Sequence, residues 1–318
     1  MKAAIVHVLG QEPTYGEFDD PIPAQGEVLL RVNAAAMSHV VKGQASGQHY
    51  SSASDFPFIA GIDGVGQLKN GRRVYFVLPC TPFGSMAEKT VVNSKQCITL
   101  PENLDDVSAA ALANPGMSSW AAYVERAGLK RGETVLVNGA TGTSGRLAIQ
   151  IAKYMGAKKV IATGRNLEAL NELSMLGADV VIPLTLDTAA LDEALQVQFS
   201  QGIHVVIDYL WGEPAEHLLM AAARANEKRL PIRYVHIGSV SGPFVNLSGD
   251  VLRATPITLM GSGLGSVSPV RLIHVLNSLF KAATQGDFRI ATTPVPLSQV
   301  DMAWSLDDSR QRTVFTMG

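Results

Sequence analysis

Residues 133–166, ETVLVNGATGTSGRLAIQIAKYMGAKKVIATGRN, restrict the fold more than any other part of the chain. The apolar run 134–137 ends at Asn138 and Gly139, after which Ala140, Gly142 and Gly145 fall at the spacing of a dinucleotide-binding turn, A-x-G-x-x-G. The spacing has physical reasons. The first small residue allows a tight strand-to-helix turn, the second lets the backbone approach a pyrophosphate, and the third lets the helix lie close on the strand. The phosphates would then meet the free amides at the helix N-terminus, around Thr143 and Ser144. Leu147, Ile151 and Tyr154 recur at helical spacing directly after the turn, so the motif has the strand and helix on either side that its chemistry requires.

A second strand follows at 160–163, and its tip reads Gly164, Arg165, Asn166. A dinucleotide fold that binds free ribose hydroxyls carries an Asp or Glu at this place, about 20 residues past the glycines. Here there is no acid, and an arginine can form charge-assisted hydrogen bonds to a 2′-phosphate. The tip therefore favours NADPH over NADH. Ligands of open α/β sheets bind beyond the carboxyl ends of the strands, which places Asp208 and Tyr209, Gly238 and Ser239, and the stretch 261–265 with Gly263 and Leu264 toward the same cofactor.

Upstream of about residue 101 the chain reads as short strands (3–8, 27–36, 72–78, 87–92 and 97–100) separated by Gly, Pro and Asp turns, a mainly β domain. Residues 46–58 read as a polar loop of the kind that lines a site. Residues 107–112 and 118–127 read as two helices interrupted at Asn114, Pro115 and Gly116, which marks a domain boundary. From residue 133 strands alternate with helices, so the fold class is α/β, with a doubly wound parallel sheet covered on both faces. A last long helix is expected over 269–284 and a closing strand over 313–316.

A chain of 318 residues, 47% hydrophobic and 17% charged, can bury two cores, and a formal net charge of -2 without a basic run gives no footing for nucleic acid or a polybasic membrane contact. No stretch has the length of a membrane helix, and the N-terminal apolar residues alternate like a strand and not like a signal peptide. Two cysteines, Cys80 and Cys97, lack metal spacing and suit a reducing cytoplasm.

The ordered set GEVLLRVNAAAMSHV, AGIDGVG, FGSMAEKTVV, GETVLVNGATGTSGRLAIQIAKYMGA, LGAD, VVIDYLWG and VHIGSVSG resembles the medium-chain dehydrogenase/reductase superfamily, in particular its zinc-independent quinone oxidoreductase-like branch. The resemblance implies a GroES-like, mainly β substrate domain over residues 1–115, completed by 266–318, with a Rossmann NADPH-binding domain over 116–265 and the active site in the cleft between them. It also implies a homodimer formed through the edge strands of the Rossmann sheets, near residues 257–261.

Zinc-using relatives place a cysteine, a G-H-E-x-x-G turn and a further ligand where this chain has Ser38, the run 61–66 (GIDGVG), and Asn114 with Pro115, and the four-cysteine structural lobe is missing. These residues lack the thiolate and imidazole donors zinc favours, so no metal site is expected. Without a Lewis acid, quinones and α,β-unsaturated carbonyls are the accessible hydride acceptors, because their conjugation spreads the arriving charge onto a distant oxygen. Tyr50, Ser38 and His39 are the candidate hydrogen-bond or proton donors. Each also has a plain structural reading: Tyr50 as an aromatic anchor of its loop, Ser38 and His39 as a strand-end turn. An enoyl-thioester reductase and an NADPH-binding redox sensor with little turnover are the competing functions.

Overall fold

The computed structural model describes residues 1–47, 55–306 and 310–318. These divide into two compact units, Met1–Asn114 with Leu276–Gly318, and Pro115–Val275. The first unit begins with strands β1 (Lys2–Val6), β2 (Thr14–Glu17) and β3 (Glu27–Ala36), helix α1 (His39–Ser46), and strands β4 (Phe58–Ile59), β5 (Asp63–Leu68), β6 (Arg73–Val77), β7 (Lys89–Asn93) and β8 (Cys97–Thr99). Helix α2 (Asp106–Ala121) spans the boundary in sequence. The second unit follows as β9 (Thr134–Asn138), α3 (Thr143–Tyr154), β10 (Lys159–Gly164), α4 (Leu167–Glu172), β11 (Val180–Pro183), α5 (Thr188–Gln201), β12 (Val205–Asp208), α6 (Gly212–Ala225), β13 (Ile232–His236), α7 (Gly249–Ala254) and β14 (Ile257–Gly261). Helix α8 (Pro269–Gln285), strand β15 (Thr292–Pro296), the short helix α9 (Val300–Ala303) and strand β16 (Arg312–Thr316) return the chain to the first unit.

In the second unit the sheet order is β11-β10-β9-β12-β13-β14, with every neighbouring pair parallel. Counted from β9 this is 3-2-1-4-5-6, the doubly wound order whose switch point lies between β9 and β12. Leu136, Ile161, Val206 and Tyr234 from four strands pack with Leu195 and Phe199 of α5 and Leu218 and Ala222 of α6. Burying a large apolar side chain of this kind contributes about 1.5–3 kcal/mol, so this layer accounts for the near-continuous apolar strands. Among the described residues β14 pairs only with β13 and leaves one edge open.

The first unit is antiparallel for the most part. β3 pairs with β5, β7 and β16, and its core joins Val6, Met37, Phe58 and Met86 to Trp304 and Phe315.

Two expectations of the sequence are corrected. Where Ser38 and His39 had the plain reading of a strand-end turn, His39–Ser46 form a helix: the Ser38 side chain accepts from Val41 N and caps it, while the C-terminal Gly47 takes the left-handed conformation. The break expected at 114–116 does not occur. α2 runs through Pro115, and the Pro115 carbonyl is taken by the Ser118 and Ser119 hydroxyls, each at 2.9 Å. Residues 292–296 pair with β16 as the end strand of the seven-stranded sheet. Pro294 and Pro296 stand two apart, so both nitrogens turn to the same side, the open one.

Candidate cofactor site at the strand tips

β9 ends at Asn138, and Gly139 turns the chain with φ +84° in a place where a Cβ would lie 2.8 Å from Leu210 Cγ. Gly145, in the first turn of α3, would bring a Cβ to 2.5 Å from both Ala140 Cα and the Gly139 carbonyl oxygen. Only hydrogen fits between helix and turn. Gly142 is the opposite case: a Cβ there would meet nothing within 4 Å, so the turn leaves open space on this side. As N-cap it offers no side-chain cap to the start of α3, the end of a helix whose dipole favours an anion. Ala140, at the first small position of the motif, is buried, and its amide donates to the Thr163 carbonyl at 2.8 Å.

At the tip of β10 a Cβ on Gly164 would collide with Thr141 Cγ2 at 2.5 Å, so the tip and the glycine turn lie in contact. Arg165 is exposed and takes no partner among the described residues. Asn166 uses its side chain to cap α4, accepting from Ala169 N at 2.9 Å. Arg146, directly after the last glycine of the turn, gives no signal in a motif defined by small residues. Its Nε donates to the Thr141 carbonyl at 3.2 Å and its guanidinium pairs with Glu172 at 2.5 Å.

Beneath the tips runs a buried polar row. Thr163 Oγ1 donates to Asn138 Oδ1 at 2.6 Å, Asn138 Nδ2 to Asp208 Oδ1 at 2.7 Å, and the Tyr234 hydroxyl to Asp208 Oδ2 at 2.7 Å. The amides of Leu210 and Trp211 also reach Asp208 Oδ1, at 2.9 and 3.1 Å. Asp208, expected to face a ligand, is instead fully buried and holds the reversal after β12, where Trp211 is forced to φ +56°. Burial and the Asp208 charge hold the Tyr234 hydroxyl well above the ordinary tyrosine range. The signal available in the sequence was the position of Asp208, a carboxylate ending an apolar strand; nothing marked Thr163 or Tyr234 as its neighbours.

Tyr209 is nearly buried, its hydroxyl 2.7 Å from Ser119 Oγ, and burial pushes its pKa upward. Gly238 sits against the Tyr209 carbonyl, with a Cβ expected at 2.9 Å, and Ser239 Oγ lies 3.1 Å from His236 Nε2. Beyond β14, Gly263 N donates to Ser266 Oγ at 2.8 Å and Leu264 is exposed. The carboxyl end of one sheet thus gathers Asn138, Ala140, Gly142, Thr143, Ser144, Gly145, Gly164, Arg165, Asn166, Tyr209, Gly238 and Ser239, with Gly263 and Leu264 on the loop after the last strand.

Ser38 is buried, its Oγ accepting from Val41 N at 3.2 Å. His39 is exposed and lines a cavity of about 380 Å³ with Gln11, Glu12, Lys42 and Trp304. Tyr50 lies outside the described residues. Asp63 is buried, accepts from the Tyr75 hydroxyl at 2.5 Å, and is pushed up to about 6 by burial. Among the described residues no three His, Cys, Asp or Glu side chains converge as a metal site would need, and no described helix is long and apolar enough to cross a membrane.

The geometry has parallels in known proteins. The family model described as zinc-binding dehydrogenase matches residues 145–276. A probable NADPH-dependent quinone reductase (tdiC) of Emericella nidulans is 31% identical, the match covering 98% of each chain. The 2-methylene-furan-3-one reductase of Solanum lycopersicum is 34% identical over 51% of this chain and 45% of its own. Among solved structures, the quinone oxidoreductase of Thermus thermophilus, determined also in complex with NADPH, is 25% identical with a TM-score of 0.82, covering 99% of this chain and 100% of that one.

Proposed function

Since the chain belongs to the quinone oxidoreductase-like branch of the medium-chain dehydrogenase/reductase superfamily, we propose that it is an NADPH-dependent, zinc-independent reductase of quinones or α,β-unsaturated carbonyls. The observation that carries this reading is the pairing of an open, uncapped glycine turn with an acid-free strand tip bearing Arg165, which has no partner among the described residues. The turn suits a pyrophosphate, and Arg165 suits a 2′-phosphate that an acid at the same place would repel. Bound there, NADPH supplies the hydride.

The chain's own residues bind and orient. Gly142 leaves room for the pyrophosphate, the first-turn amides of α3 meet its charge, and the buried row from Thr163 to Tyr234 fixes the tips that carry Tyr209 and Gly238. A quinone or enone takes a hydride at one end of its conjugated system and a proton afterwards, so it requires donors rather than a metal. In this reading His39 and Tyr50 are the candidate donors. Ser38 is the weaker one, since its hydroxyl already serves α1. Residues 1–115 with 266–318 handle the acceptor, and 116–265 the cofactor. The tomato relative, named for a substrate whose exocyclic methylene is conjugated with a ketone, favours the enone class.

The open edge of β14 suits pairing with a second copy, and a homodimer through these strands is part of the proposal. So is a cytoplasmic location, which fits two free thiols that burial pushes up to about 11 and so keeps protonated.

NADPH oxidation followed with a panel of quinones, enones and enoyl thioesters in the presence of a chelator tests this directly. Turnover with quinones or enones is expected. Turnover confined to thioesters would move the assignment to an enoyl-thioester reductase, and tight NADPH binding with no acceptor reduced would make the protein a sensor. Arg165→Ala is expected to weaken NADPH by about 1.5–3 kcal/mol, the worth of a hydrogen bond to a charged group, and to leave NADH nearly unchanged. Equal losses for the two cofactors would remove the phosphate assignment.

A further inference from the structure

We propose that Arg146 and Glu172 tether helix α4 to the glycine turn and so hold the Arg165 tip where a 2′-phosphate is read, which makes Arg146 a positioning residue for the choice between NADPH and NADH. The inference rests on the NADPH reading above and adds to it a residue that touches neither phosphate nor nicotinamide.

Among the described residues no side-chain contact fixes Arg165. Its place is therefore set by the backbone on either side. On the near side Gly164 lies under the Thr141 methyl, with no space for a Cβ between them. On the far side Asn166 caps α4, a helix of six residues, which makes a strut of about 9 Å. Glu172 is the last residue of that strut. Arg146 holds both sides at once, one bond to the Thr141 carbonyl at 3.2 Å and the ion pair to Glu172 at 2.5 Å. The loop carrying Arg165 is thus closed into a ring: Thr141, Gly164, Arg165, Asn166, α4, Glu172, Arg146 and back to Thr141.

A tether and a direct phosphate ligand predict opposite results at Glu172. Were Arg146 a ligand of the phosphate, removing the Glu172 charge would free it and tighten NADPH. As a tether, the pair works only when both members are present. The side chains are 21% and 45% exposed, so solvent screens the bond and its effect is modest.

The test measures the dissociation constants of NADPH and NADH by nicotinamide fluorescence for Arg146→Met, Glu172→Gln, the double variant and Arg165→Ala. It also measures amide hydrogen exchange over residues 165–172 in the protein without cofactor. Each single variant is expected to weaken NADPH relative to NADH by about fivefold, the double variant no more than either single one, and exchange in α4 to rise in all three. Glu172→Gln binding NADPH as well as or better than the parent, or unchanged exchange in both single variants, overturns the tether. Arg165→Ala losing NADPH and NADH equally overturns the phosphate reading instead, and the exchange data still decide whether the ring is closed by the ion pair.

Discussion

Asp208 in the second unit and Asp63 in the first are both buried, and both accept a hydrogen bond from a tyrosine hydroxyl, at 2.7 and 2.5 Å. Their remaining surroundings differ. Asp208 takes three further donors, Asn138 Nδ2 and the amides of Leu210 and Trp211. Asp63 has none on its other oxygen, which is buried without a donor among the described residues. Burial raises the Asp63 carboxyl to about 6, and the Tyr75 bond and the Arg312 charge offset this only in part. Burial alone does not make a carboxylate costly. The number of donors that replace its water does.

The largest effect that would break this contrast is at Asp208. Asp208→Ala strands Asn138, Tyr234 and two amides, and is expected to cost about 3–5 kcal/mol in denaturant unfolding. A loss below about 1 kcal/mol would mean that the row is decoration. Next comes the pH dependence at Asp63. Its folded pKa of about 6 lies above the ordinary 3.8, so between those values the folded state holds a proton that the unfolded state has lost. This component of stability is full below pH 3.8 and falls by about 3 kcal/mol as pH rises through 6. Subtracting the profile of Asp63→Asn from that of the parent isolates it, and a flat difference would refute the assignment.

The smallest effect sharpens the comparison. Tyr234→Phe leaves Asp208 with three donors and is expected to cost about 1–2 kcal/mol at any pH between about 5 and 8. Tyr75→Phe leaves Asp63 with no donor among the described residues, and is expected to cost about 1 kcal/mol at about pH 5, where the acid is protonated, and about 2 kcal/mol at about pH 8. Two tyrosine variants with the same pH behaviour would erase the distinction between the sites.

What the sequence shows of these sites follows from how local each constraint is. The glycine turn is legible because its spacing is local, with Gly145 answering to Gly139 and Ala140 a few residues before it, and the parallel sheet because its buried strands are continuous apolar runs. Helix α1 was hidden: Val40 and Val41 favour a strand, and the cap Ser38 has no acid or amide three residues on to mark it. The passage of α2 through Pro115 runs against the rule that a proline ends or kinks a helix, and no neighbouring residue in the sequence marks the exception. Arg146 was invisible because its partner Glu172 lies on another helix, and the row from Thr163 to Tyr234 because its members are adjacent only across strands. Propensity describes a segment; these features belong to pairs of segments.

The return of the chain to its first unit has a consequence for how the protein is made. β3 and β5 are synthesised early, yet β3 pairs with β16 at Ala34–Ala36, and Arg312 contributes its charge to Asp63. Roughly 240 residues separate the end of β5 from Arg312, a wait of about 12–50 s at translation speeds of about 5–20 residues per second. Throughout that interval the nascent sheet carries an unpaired edge, whereas the second unit, continuous in sequence, is complete once Val275 has been added, before β16 is made. Ribosome pausing or early termination after residue 275 would therefore leave the second unit complete in sequence and attached to an unfinished sheet, whose unpaired edge is open to chaperones and proteases.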